Sequence, residues 1–220
     1  MVRIATLYRD LSDRMAELRT AHAAVDASRE VVLRALGDGH AHYGINTGFG
    51  ALASKRIADE QLAELQRNIL LSHACGVGDP VPPQITRLML QLKIHALGLG
   101  HSGISRTTFE QLLAFEERGL TPWVPSRGSV GASGDLAPLA HMAAVMMGEG
   151  EAFYRGERMT GADALAVLGH PAFESARALL SHDPVQAAQT HKKHQPAPFG
   201  EDHVCIPLRP RRGPTADPGP

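Results

Sequence analysis

Apolar positions recur at helical spacing through most of the first two-thirds of the chain. Val25, Val31, Val32, Ala35 and Leu36 predict a helix that stops at Gly37-Asp38-Gly39. Asp59 is placed to cap a helix carrying Leu62, Leu65, Ile69 and Leu70. Pro82-Pro83 opens another helix, with Ile85, Leu88, Met89, Leu92 and Leu97 expected on its buried side. Thr107 and Glu110 have the spacing of a capping box for a helix through Phe109, Leu112, Leu113 and Phe115, which Gly119 and Pro122 end. Leu136, Leu139, Ala143, Met146 and Met147 mark a strongly apolar helix. Arg155-Gly156, between Glu151-Ala152-Phe153-Tyr154 and Glu157-Arg158-Met159, predicts a small β-hairpin. No series of strands supports a large sheet, so the expected class is mainly α.

The pattern changes near Pro171. Nine of the fifteen prolines lie from Pro171 to Pro220, and apolar periodicity disappears there. The chain therefore divides into a helical region, 1–170, and a Pro-rich tail, 171–220, expected to be disordered. The tail's Pro, Arg, Ala and His content suggests a GC-rich gene read out of frame. Its basic cluster Arg209-Pro210-Arg211-Arg212 reads as a solvated patch.

Composition narrows the function classes. Hydrophobic residues make up 43% of the 220, enough for a sizeable core. The net charge of −1 gives no electrostatic case for nucleic acid or a membrane surface as partner. Two cysteines far apart, Cys75 and Cys205, suggest a reduced compartment. The N-terminus lacks the apolar core of a signal peptide, and no apolar run is long enough to span a bilayer. A cytoplasmic protein is the expectation.

The candidate chemistry lies in Gly128-Ser129-Val130-Gly131-Ala132-Ser133-Gly134-Asp135-Leu136-Ala137-Pro138-Leu139-Ala140-His141. Attack of the Gly134 nitrogen on the Ala132 carbonyl carbon closes a five-membered ring. Loss of water from the ring and of the Ser133 hydroxyl leaves an exocyclic methylidene. Gly134 offers an unhindered nitrogen and backbone freedom, Ser133 the leaving hydroxyl, and Ala132 an accessible carbonyl. Ala-Ser-Gly by itself is a common loop tripeptide; its context is what separates it from a turn. The fourteen residues resemble a signature of the aromatic amino acid ammonia-lyases, which build a methylidene-imidazolone (MIO) group from this tripeptide. Tyr43-Gly44-Ile45-Asn46-Thr47-Gly48-Phe49-Gly50 resembles the family's other signature, and Asn68 to Gly78 resembles its histidine-specific branch. The resemblance covers roughly residues 26–169.

That resemblance implies the N-terminal portion of an all-helical, fumarase/aspartase-like fold, lacking the long central bundle. It implies elimination of ammonia from L-histidine to give urocanate, with MIO as the self-formed cofactor from Ala132, Ser133 and Gly134 and no external cofactor. It also implies a homotetramer for the family's full-length members. Tyr43 matches the family's proton-abstracting tyrosine. A phenol titrates near pH ~10, so a phenolic base needs positive charge, helix dipoles or hydrogen bonds to its anion. Standing alone, such a tyrosine is more often a packing aromatic. His73 matches the residue that contacts the substrate side chain, against the ordinary role of a helix-end cation, and Ala74 after it favours the histidine branch. Asn46 and Thr47 are expected to hold the Tyr43 loop, with Asn46 also a candidate for substrate contact. Asp135 reads as a helix N-terminal acid. Tyrosine or phenylalanine ammonia-lyase, and a non-catalytic fragment that neither folds fully nor turns over substrate, stand as alternatives.

Other motifs lack their context. Ser133 is not in a nucleophile elbow, because Asp135 occupies the final Gly position. Gly48-x-Gly50-x-x-Ala53 follows no predicted strand. His40-x-His42 has no third ligand nearby, so no metal is expected and the pair reads as an exposed junction.

Overall fold

The computed structural model describes residues 4–48, 53–130 and 134–170, without the side chains of Ile4, Asp59 and Glu60. The expectations for the 171–220 tail and for Ala132 and Ser133 lie outside these residues. After a 3-10 turn at Ile4–Thr6, the helices are α1 (Leu7–Leu18), α2 (Ala23–Gly37), α3 (Asp59–His73), α4 (Pro83–Leu97), α5 (Arg106–Arg118), α6 (Leu136–Met146) and α7 (Gly161–Leu168). The strands are β1 (Val77–Pro80), β2 (Thr121–Pro122), β3 (Pro125–Arg127), β4 (Glu151–Tyr154) and β5 (Glu157–Thr160). The fold is mainly α.

Helix α6 forms the centre. Leu139, Ala140, Met142, Ala143, Val145 and Met146 are all buried, so it is enclosed on nearly every side. Around it the main core gathers Leu70 of α3, Leu90 and Ile94 of α4, Phe109 and Phe115 of α5, and Leu165 of α7. Gly98 lets α1 approach α4: a Cβ there would lie 2.6 Å from the Leu18 side chain. One buried carboxylate gathers polar partners at the edge of these helices. Glu116 accepts from Arg87 at 3.1 Å, Gln91 at 2.9 Å and Arg19 at 3.4 Å, tying α5 to α4 and to the residue after α1.

The local signals for α4 and for the end of α5 hold. Pro83 occupies the first turn of α4, and Gly119 ends α5 in the left-handed region at φ 71°. Two N-termini differ from expectation. The α5 cap is Ser105, not Thr107: the Ser105 Oγ accepts from the Thr108 N–H at 3.2 Å. Buried Ile104 draws the chain inward just before it, so the helix begins earlier. For α3 the cap position is Ala58, whose backbone is extended, and Asp59 falls one residue inside the helix. The buried side of α4 also differs. Thr86, Leu90, Ile94 and Leu97 face inward, while Ile85 and Leu92 are exposed.

Two small antiparallel sheets complete the structure. The hairpin β4–β5 has the expected two-residue turn, with Arg155 at φ 52° and Gly156 at φ 87°; both positive values mark the turn suited to right-twisted strands. Strand β2 adds to its β4 edge. The second sheet pairs β1 with β3, with Val77 opposite Arg127 and Pro80 opposite Pro125. No helix among the described residues is long and apolar enough to cross a membrane.

Candidate active site

His73 is the last residue of α3. Its Nδ1 lies 2.7 Å from the Ile69 carbonyl oxygen and 3.2 Å from the Ser72 Oγ. A carbonyl only accepts, so Nδ1 carries the proton in the neutral ring and Nε2 is left as an acceptor. The helix ends there because Ala74 leaves the helical region while its N–H still bonds the Leu70 carbonyl at 3.0 Å. The chain then enters β1, whose partner β3 runs directly into the Gly128–Gly134 segment. The 68–78 block and the 128–141 block thus meet beside one β-ladder, at Gly76 and Gly128, although they are far apart in sequence.

The meeting is close. A Cβ on Gly128 would lie 2.8 Å from the Gly76 Cα and 3.3 Å from the Ala137 Cβ. A Cβ on Gly76 would lie 3.0 Å from the His141 Nε2 and 3.1 Å from the Arg127 carbonyl oxygen. Only glycine fits at either position without moving backbone. The Gly76 N–H donates to the His141 Nε2 at 2.9 Å.

Burial holds the His141 imidazole below the ordinary histidine value. The unfolded chain, titrating near pH ~6.5, then binds the proton more readily than the folded one. The stability from the neutral ring is complete above that pH and is lost as pH falls through the folded value. The thermal midpoint of the chain is therefore expected to drop between pH 7 and 5, and less so in His141→Gln, whose amide does not titrate. Equal drops in both chains would assign the acid sensitivity to other groups.

Of the tripeptide, Gly134 is described; Ala132 and Ser133 are not. Gly134 is exposed, and a Cβ there would lie 3.2 Å from the Ser129 Oγ. The two flanks of the loop therefore approach each other just beyond Gly128. Asp135 stands at the N-cap of α6, and its carbonyl accepts from the Leu139 N–H at 2.9 Å. It also supplies negative charge to half-buried Lys93 on α4, whose own value burial pushes down.

The 43–50 block is built separately. Asn46 is fully buried, and its Oδ1 accepts from the His42 N–H at 2.7 Å while its Nδ2 donates to the His40 carbonyl at 2.8 Å. Its own carbonyl accepts from the Ile57 N–H at 2.8 Å, and Thr47 bridges to Arg56. Thr47 is likewise buried, with its Oγ1 donating to the Gly48 carbonyl at 3.0 Å. The loop that results presents Tyr43 at 40% exposure, with Gly44 at φ 81° allowing the chain to double back.

His42 departs from the expected exposed junction. It is buried, and its Nε2 lies 2.9 Å from both carboxylate oxygens of Asp38. The His40 backbone N–H and the His42 ring hold Asp38 down to about 2. The named bonds of this block run within residues 38–57, whereas the other two blocks are joined directly through Gly76, Gly128 and His141. His141 had no role assigned from sequence; a lone histidine on an otherwise apolar helix is the signal that points to it.

Comparisons with known proteins give the chain its family. The chain is 55% identical over 150 residues to histidine ammonia-lyase of Roseobacter denitrificans, a match covering 68% of this chain and 29% of that protein. The crystal structure of histidine ammonia-lyase from Trypanosoma cruzi superposes with a TM-score of 0.67 at 34% identity, over 78% of this chain and 34% of that one. The ergothioneine-degrading enzyme ergothionase from Treponema denticola gives 0.69 at 26% identity, over 82% and 39%. The chain thus spans about a third of the length of these relatives. The family model for aromatic amino acid lyases matches residues 2–177, which takes in all three signature blocks, and the chain belongs to that family.

Proposed function

We propose that the protein carrying this chain is a histidine ammonia-lyase, eliminating ammonia from L-histidine to give urocanate, with an MIO ring formed from Ala132, Ser133 and Gly134. The observation that carries the reading is the placement of His73 at the end of α3, three residues before Gly76, which packs against Gly128 at the entry to the tripeptide segment. The 55% identity to a histidine ammonia-lyase supports it.

The ring supplies an electrophile that no ordinary side chain provides and that makes the α-amino group a better leaving group. The remaining steps fall to the chain's own residues. The His73 Nε2 accepts the N–H of a substrate imidazole and orients the side chain. Tyr43, as phenolate, takes a proton from the β-carbon. The electron pair of that C–H bond becomes the Cα=Cβ double bond, and the C–N bond breaks with its pair leaving on nitrogen. Free N–H groups at the start of α6 favour negative charge beside residue 134. Asn46 keeps the Tyr43 loop folded, and its bonds to the His40 carbonyl and the His42 N–H support that role over substrate contact. The cellular protein is proposed to act in the cytoplasm as a homotetramer.

Intact mass and urocanate formation test the reading together. A chain lighter by two waters that releases urocanate from L-histidine supports it. A cyclised chain that acts on tyrosine or phenylalanine alone places the protein in another branch.

Selectivity provides a separate prediction. His73→Leu should weaken use of histidine about 10–100-fold more than use of phenylalanine, because a buried polar partner is lost only for the substrate that needs one. Measured kcat/KM values that fall equally for both would make His73 a structural residue.

A further inference from the structure

Gly76 and His141 belong to different signature blocks and meet in one hydrogen bond, from the Gly76 N–H to the His141 Nε2 at 2.9 Å. An accepting Nε2 carries no proton, so the neutral ring holds its proton on Nδ1. The β1–β3 register begins at Val77, one residue later, and a side chain serves the Gly76 amide instead of the ladder. An apolar residue at 141 would fill similar space and leave that amide without its acceptor.

The junction has little slack. Besides the His141 ring, a Cβ on Gly76 would meet the Pro125 Cβ at 3.2 Å, and Gly128 packs onto the same glycine from the other side. Ala137, which touches Gly128, lies one turn before His141 on α6. One face of α6 therefore meets both the chain leaving His73 and the chain entering the tripeptide. His73 stands three residues before Gly76, and Gly134 ends the tripeptide just before the helix begins. The path from His73 to Gly134 runs across this face.

We propose that His141 is a positioning residue, anchoring the Gly76 amide to α6 so that His73 stays in register with Gly134 at the start of that helix. The catalytic part of this role rests on the reading of His73 as the substrate contact; the anchoring itself does not. A glutamine at 141 presents an amide oxygen that can accept from Gly76, and a leucine presents none.

The test compares His141→Gln and His141→Leu in the 220-residue chain by NMR, following the His73 ring resonances, the Gly134 Cα and Hα resonances and hydrogen exchange at Gly76. His141→Leu should move the His73 and Gly134 signals and speed Gly76 exchange about tenfold or more, as loss of one buried hydrogen bond predicts. His141→Gln should leave all three close to wild type. Unmoved His73 and Gly134 signals in the leucine variant, or equal changes in both variants, overturn the proposal. Where the leucine variant does not fold, the glutamine variant decides: wild-type protection at Gly76 supports the anchor, and fast exchange there refutes it.

Turnover adds a second readout. His141→Leu should raise KM for L-histidine about tenfold while kcat changes little, and His141→Gln should restore KM. A chain that makes no urocanate in any form counts against the histidine-lyase reading and leaves the resonance and exchange outcomes to judge the anchor.

Discussion

Ser133→Ala is expected to abolish both ring formation and turnover, leaving the chain without the loss of two waters and urocanate formation at background. The reason is chemical. The methylidene carbon of the ring can come only from the Ser133 side chain, and alanine has no hydroxyl to expel. Gly134 and its unhindered nitrogen are untouched, so the variant isolates the missing leaving group. Near-wild-type melting with an uncyclised mass is the expected pair of results. Unchanged histidine turnover in this variant would refute the MIO reading.

Tyr43→Phe should behave differently. The ring forms, because the tripeptide is untouched, but kcat falls by roughly 10²–10⁴-fold, the usual contribution of a general base. The fold should change little, since Tyr43 is 40% exposed and the loop is held by Asn46, Asp38 and His42. Intact mass together with single-turnover rates checks both halves. A loss below about tenfold would return Tyr43 to a packing role.

The parts of this fold readable from sequence are those set by short-range chemistry. Pro83 starting α4, Gly119 ending α5 and the Arg155-Gly156 turn each impose a backbone conformation that few neighbours can override. The buried face of α4 is different. Ile85, Leu88, Met89, Leu90, Leu92, Ile94 and Leu97 surround the helix, so several stripes satisfy the periodicity and tertiary packing selects the one through Leu90 and Ile94. In α1, Leu11, Met15 and Leu18 recur at helical spacing, but the charged residues between them mask the pattern. Strands β1 and β3 left almost no trace, because Gly78, Pro80 and Pro125 are poor strand residues and pairing across the fold creates them. That same pairing brings two signature blocks together. Sequence motifs identified the blocks; their joining through Gly76, Gly128 and His141 depends on backbone approach, which no motif encodes.

Among the described residues, the cluster of Val32, Ala35 and Ile45 stands apart from the main core, with Val31 and Leu36 at its edge. It has a kinetic consequence. A segment resting on so little apolar burial opens locally at a free energy well below that of global unfolding. Amides near Ile45 and Asn46 should therefore exchange with solvent long before those of α6, most of whose side chains are buried. The segment that holds Tyr43 is thus expected to yield first, while the chain packed on α6 around Gly76 and Gly128 stays fixed.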